Sequence, residues 1–249
     1  MLSKPTIKCL ADLIQVASTH ELNIEAVRQV LCEQSQFDPI MIFNRIKRSS
    51  KDYITSTDIY GFLKDNKIDT TESDCFYVLK GYDQDNDDKL TYKEFIKIIL
   101  PSYNPELHEK ACIKQSTETT EFTIPYDIEY SLTQLLEKEI KMYRELDAQK
   151  GKLNVRFDYS ISSLFEEITD SKTMTIDIST LHKYLMRNEI ELDMVLIEAF
   201  IKRLDKDRNG YLTFIEFADG ITPQNPKTKL RPHFSKTTET FANKTKRYK

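Results

Sequence analysis

The chain has no tryptophan, only five glycines in 249 residues, and no long apolar run. So few glycines argue against a Gly-rich phosphate cradle, and neither G-x-x-x-x-G-K-S/T nor G-x-S-x-G occurs. No stretch approaches the ~18 consecutive apolar residues that a membrane span needs. The opening Met-Leu-Ser-Lys-Pro has no apolar core of a secretory signal, and Leu2 stands where myristoylation requires glycine. A cytoplasmic chain is the expectation. The histidines (His20, His108, His182 and His233) are scattered singly, without H-E-x-x-H or a kinase catalytic-loop pattern, so catalysis is not expected. Cys9, Cys32, Cys75 and Cys112 show no paired metal-ligand spacing and read as reduced thiols.

Acidic charge is concentrated at two places. Residues Asp205 to Glu216 read Asp-Lys-Asp-Arg-Asn-Gly-Tyr-Leu-Thr-Phe-Ile-Glu. Side-chain oxygens at positions 1, 3 and 5 (Asp205, Asp207, Asn209), a carbonyl at 7 (Tyr211), a water-bridging position at 9 (Thr213) and a bidentate carboxylate at 12 (Glu216) make an oxygen cage for Ca2+. Gly210 at position 6 takes the positive-φ turn. A second run, Asp83 to Glu94, repeats the pattern with Asp83, Asp85, Asp87, Lys89, Thr91 and Glu94. It departs at position 6, where Asp88 replaces glycine and strains the turn.

Leu90 and Leu212 hold position 8, where neighbouring loops pair. Ile54 and Ile176, each 36 residues earlier, index two further loops, Lys47–Asp58 and Thr169–Thr180. Neither can form a cage: Lys47-Arg-Ser-Ser-Lys supplies cations and hydroxyls, and the other lacks a carboxylate at positions 1, 3, 5 and 12. Apolar residues flank all four loops at helical spacing, with Ile42, Val78, Leu164 and Phe200 before them and Leu63, Ile99, Leu185 and Ile221 after. Whole pairs recur after 122 residues. The same shift sets Leu10, Leu13 and Ile14 against Leu132, Leu135 and Leu136, though it also sets Ala17 against Glu139, so this upstream match is partial.

The paired helix–loop–helix units resemble the EF-hand superfamily, in a calmodulin- or centrin-like arrangement of two lobes. The resemblance implies an all-α fold with a short β contact between paired loops, up to two bound Ca2+ (with Mg2+ a filler at rest), and an apolar groove for a target helix opened by the ion. The expected divisions are an N-terminal helical segment (1–36), a first pair (37–101), a linker (102–124), a long amphipathic helix (125–156), a second pair (157–222) and a basic extended tail (223–249). That long helix is expected either to fill a lobe groove or to act as a spacer.

The tail carries eight Lys/Arg against one acid, Glu239, which leaves −11 for the preceding 222 residues of a chain of net charge −4. The tail's Lys227, Lys229, Arg231, Lys236, Lys244, Lys246, Arg247 and Lys249 suit an acidic filament surface such as tubulin, or anionic lipid. Few stacking aromatics interleave, so nucleic acid is not an expected partner. Two functional readings follow from the resemblance: a structural or regulatory adaptor in a ciliary or cytoskeletal assembly, and a free cytosolic sensor that binds target helices. Sparse methionine favours a fixed protein partner over promiscuous binding.

Overall fold

Most of the helices start where a short polar side chain can satisfy the free N–H groups of a first turn. Asp38, Thr55, Thr71, Asn104, Ser160, Asp177, Asp193 and Thr213 each accept such a bond with a side-chain oxygen. In the computed structural model, which describes residues 2–48, 50–115, 123–169 and 174–223, these caps open most of the helices of an all-α fold.

In chain order the elements are α1 (Lys4–Glu33), α2 (Pro39–Ile46), β1 (Tyr53–Ile54), α3 (Ser56–Asp65), α4 (Glu72–Tyr82), β2 (Leu90–Thr91), α5 (Tyr92–Ile99) and α6 (Pro105–Cys112). They continue with α7 (Tyr126–Asn154), α8 (Ile161–Ile168), α9 (Ile178–Arg187), α10 (Met194–Leu204) and α11 (Phe214–Ile221). The antiparallel β1–β2 contact pairs Ile54 with Leu90, and an isolated bridge pairs Ile176 with Leu212. These are the two position-8 pairs indexed in the sequence.

A shift of 122 residues carries α2–α5 onto α8–α11 residue for residue, and it carries the start of α1 onto the start of α7. The repeat reaches the side chains. Phe43 meets Tyr92 and Phe95 at 5.5 Å, while Phe165 meets Phe214 at 5.3 Å and Phe217 at 5.8 Å. It reaches the backbone too: among the positive-φ residues Lys67 pairs with Glu189, Asn86 with Arg208 and Asp88 with Gly210, while Met174 has no such counterpart.

The two long helices hold the halves together. α1 lies against α7 and α10, and α7 lies against α1 and α4. Because the shift exchanges α1 with α7 and α4 with α10, the two cross-contacts are one contact made twice. α1 buries Leu10, Leu13, Ile14, Ile24 and Leu31, and α7 buries Ile128, Leu132, Leu135 and Leu136. Each such side chain is worth about 1.5–3 kcal/mol. Polar ties join the halves as well: Arg45 of α2 pairs with Glu129 of α7, Arg144 donates twice to Asp74 at 2.9 and 2.7 Å, and Ser18 donates to the Leu196 carbonyl at 2.5 Å. The long helix expected as a spacer or groove filler packs on α1 and α4 and does not stand free between the halves.

Two expectations need amendment or fall elsewhere. The segment expected as a linker contains α6, capped by Asn104, started by Pro105 and anchored through buried Ala111. The Ser/Thr/Glu cluster within residues 116–122, part of the loop Thr169–Thr180, and tail residues 224–249 lie outside the described residues. No described helix is long and apolar enough to cross a membrane.

Candidate metal centres

Both acidic runs lie between paired helices, the first joining α4 to α5 and the second α10 to α11. In the second, Asp205 accepts from the backbone N–H of Asn209 (3.2 Å) and of Gly210 (2.7 Å). Asp207 accepts from the Asn209 N–H at 3.2 Å, and Asn209 Oδ1 accepts from the Tyr211 N–H at 3.0 Å. These bonds wrap the backbone around the acidic side chains. Carboxylate oxygens of Asp205, Asp207 and Glu216 converge within 4.8 Å of one another, with Asp205 and Glu216 buried. Gly210 at φ 89° has open space where a Cβ would stand, so its conformation, not crowding, calls for glycine.

The first loop has the same wiring. Asp83 accepts from the N–H groups of Asp87 (3.2 Å) and Asp88 (3.1 Å), Asp85 from Asp87 (3.3 Å), and Asp87 from Lys89 (3.0 Å). Asp83, Asp85 and Asp87 bring oxygens within 4.8 Å, and Glu94 stands outside that trio. Glu94 accepts instead from the Gln84 N–H at 2.8 Å and from Thr91 through its N–H (2.9 Å) and hydroxyl (2.7 Å). Glu216 makes the same three bonds, to Lys206 and Thr213. So does Asp58 in Lys47–Asp58, to Arg48 and Thr55. The closing carboxylate doubles as a helix cap, even where no acidic trio accompanies it among the described residues. In the remaining loop Asp177 and Thr180 cap each other and no carboxylate closes.

Lys80 and Lys202 separate the two acidic loops electrostatically. They are equivalent under the 122-residue shift, yet Lys80 turns into its loop, 2.9 Å from Asp83 and 2.5 Å from Asp88. Burial pushes the Asp83 carboxyl up, but the Lys80 ammonium and backbone donors outweigh it and leave the group below its ordinary value. Lys202 turns away, to Glu198 at 2.8 Å and over the Tyr103 ring at 3.9 Å. With no such counter-cation, Asp205 is raised, first by withdrawal from water and then through Asp207. Asp85 is also raised, by desolvation and by the charges of Asp87 and Glu94. Crowded carboxylates that resist ionisation are what a hard divalent cation relieves.

Behind the loops lies a buried ionic cluster that no loop motif signals. Glu139, fully buried on α7, receives Arg203 Nη2 at 2.7 Å, Arg28 Nη2 at 3.1 Å and the Tyr82 hydroxyl at 2.5 Å. Arg28 also donates to Glu21 at 2.6 Å and to the Ile98 carbonyl at 2.9 Å, while Arg203 reaches Glu21 at 3.1 Å and Tyr143 at 2.8 Å. Burial alone would raise Glu139; the two guanidiniums hold it below the usual carboxylate range. Tyr82 immediately precedes Asp83, and Arg203 stands two residues before Asp205, so the cluster touches the entry to both loops.

No known family model and no curated protein matches this chain.

Proposed function

We propose that this chain is a calcium-binding protein of the EF-hand kind that works as an adaptor, with two unequal ion sites mounted on one rigid joint. The observation that carries the reading is the paired convergence of Asp83, Asp85 and Asp87 and of Asp205, Asp207 and Glu216 in loops of matching wiring. The donor set is all oxygen and mostly carboxylate, which suits Ca2+, with Mg2+ a competitor. Asp205, Asp207, Asn209, the Tyr211 carbonyl, Glu216 and a water on Thr213 would hold one ion. Asp83, Asp85, Asp87, the Lys89 carbonyl, Glu94 and a water on Thr91 would hold the other. The second loop fills first, because Lys80 occupies the first.

The buried cluster between the loops supports an adaptor over a free sensor: ion occupancy is felt where the halves join, rather than at two separate lobes. Attachment to a ciliary or tubulin filament would fall to the basic tail and rests on sequence alone. Calorimetric Ca2+ titration tests the site assignment. Wild type takes two ions, Glu94→Gln and Glu216→Gln each lose one, and a wild-type isotherm in both variants would sink the assignment.

A further inference from the structure

The two metal loops meet across a cleft of about 260 Å3, well above the ~10–15 Å3 that admits a single water. Its floor is the cluster of Glu21, Arg28, Tyr82 and Arg203. There every positive charge has an acid: Arg28 and Arg203 are answered by Glu21, Glu25 and Glu139.

The rim is different. Lys97, Lys202, Lys206 and Arg208 all line it. Lys202 and Lys206 have exposed partners, Glu198 at 2.8 Å and Asp219 at 3.2 Å. Lys97 touches only a carbonyl, that of Lys206, at 3.4 Å. The Arg208 side chain has no hydrogen bond or ion pair among the described residues. These two cations sense each other: burial first, and the Arg208 charge second, hold the Lys97 amine below its ordinary range. Neither cation has an ion-pair partner among the described residues; the carboxylates near them, Asp205 in the cleft lining and Glu94 and Asp207 beside Lys97, belong to the two acidic loops.

The shape of the rim limits what could supply that anion. A planar guanidinium fork and a point ammonium lining one cleft suit an acceptor with oxygens in several directions, which a tetrahedral dianion has and a single carboxylate lacks. A nucleotide would need a free aromatic face, and the Tyr82 ring is already covered by Arg203 at 5.2 Å. The ligand is therefore compact. We propose that the cleft between the two metal loops binds a phosphate-class dianion, held by Lys97 and Arg208 with Lys202 and Lys206 at the rim. The cations outnumber the carboxylates in the lining, which are Glu21 and Asp205.

The test is titration of the full chain, free of divalent metal and at fixed ionic strength, with inorganic phosphate. Wild type should bind one phosphate. Lys97→Met and Arg208→Gln should each weaken it roughly tenfold, as expected for loss of one charge-assisted hydrogen bond, and Lys93→Met, on the same helix but outside the cleft, should leave it unchanged. Arg208 is exposed and Lys97 half-buried, and a thermal melt confirms that each variant folds. Glycerol 3-phosphate in a parallel titration separates the sources: tighter binding assigns an ester, equal or weaker binding assigns free phosphate. Absence of binding by wild type, or unchanged binding when Lys97→Met and Arg208→Gln are combined, overturns the proposal.

Discussion

Gln84 donates a hydrogen bond through its side-chain amide to the backbone carbonyl of Lys206, at 2.9 Å across 122 residues. Both residues hold position 2 of their acidic loop. The Gln84 N–H is bonded to Glu94 and the Lys206 N–H to Glu216, so one relay joins the two closing carboxylates. An ion that draws in either carboxylate pulls on the same relay. We expect Gln84→Ala to leave both proposed ion sites intact while the second ion loses its dependence on the first. Stepwise constants from calorimetry report this; unchanged coupling, or no coupling in wild type, would remove the relay.

On the proposed assignment, Lys80, 2.9 Å from Asp83, competes with the ion for that carboxylate. Lys80→Met keeps an unbranched apolar stem while removing an ammonium, set 5.8 Å from the Phe76 ring centroid, that any arriving cation must displace. Affinity at the first loop should rise about tenfold, the scale of a partly buried charge pair, with the second loop unchanged. Titration in a Glu216→Gln background reads the first loop alone.

Glu139 answers two arginines in the core, so its neutralisation is costly. Glu139→Gln should destabilise the protein by about 3 kcal/mol, the range for breaking a buried ion pair, as a lower urea midpoint at constant slope. The control is Glu145→Gln, which breaks a half-exposed contact with His20 and should cost below about 1 kcal/mol.

Lys150, the counterpart of Arg28, is buried on α7, and its amine is brought down from 10.5 to about 8. Burial is the main cause and Arg203 adds to it, against the opposing pull of Asp147 and Asp219. The unfolded chain holds this proton more tightly than the folded one, so the group penalises folding below pH 8, and the penalty fades as pH rises towards 10.5. Lys150→Met should therefore stabilise the protein at neutral pH by roughly 3 kcal/mol. That advantage should vanish near pH 10.5. A constant difference between wild type and variant across this range would contradict the assignment.

Much of this architecture was legible because it repeats. The loops announce themselves through residue chemistry at fixed spacing, and Ile54, Leu90, Ile176 and Leu212 gave the register that the β contacts follow. The partial match of Leu10, Leu13 and Ile14 with Leu132, Leu135 and Leu136 marks two equivalent helices, and its flaw, Ala17 against Glu139, marks the place where the repeat is broken for a purpose. A signal for the buried cluster was present. Glu21, Glu25 and Arg28 continue the helical spacing of Ile14, Ile24 and Leu31, so charges sit on a stripe that should be apolar. Their partners come from α4, α7 and α10, and periodicity within one helix cannot name a partner in another. Gly81 carries the same lesson: a Cβ there would lie 1.6 Å from the Tyr143 hydroxyl, a clash set by packing between helices distant in sequence. Lys80 and Lys202 occupy equivalent positions, and only their surroundings send one into its loop and the other away.

The exchange of long helices between halves makes this single chain behave like a heterodimer whose subunits happen to be tied. Severed between residues 115 and 123, each fragment would carry a long helix whose apolar stripe fits mainly the other fragment. Refolding of the pair would then become second order in concentration, and neither piece alone would hide its core.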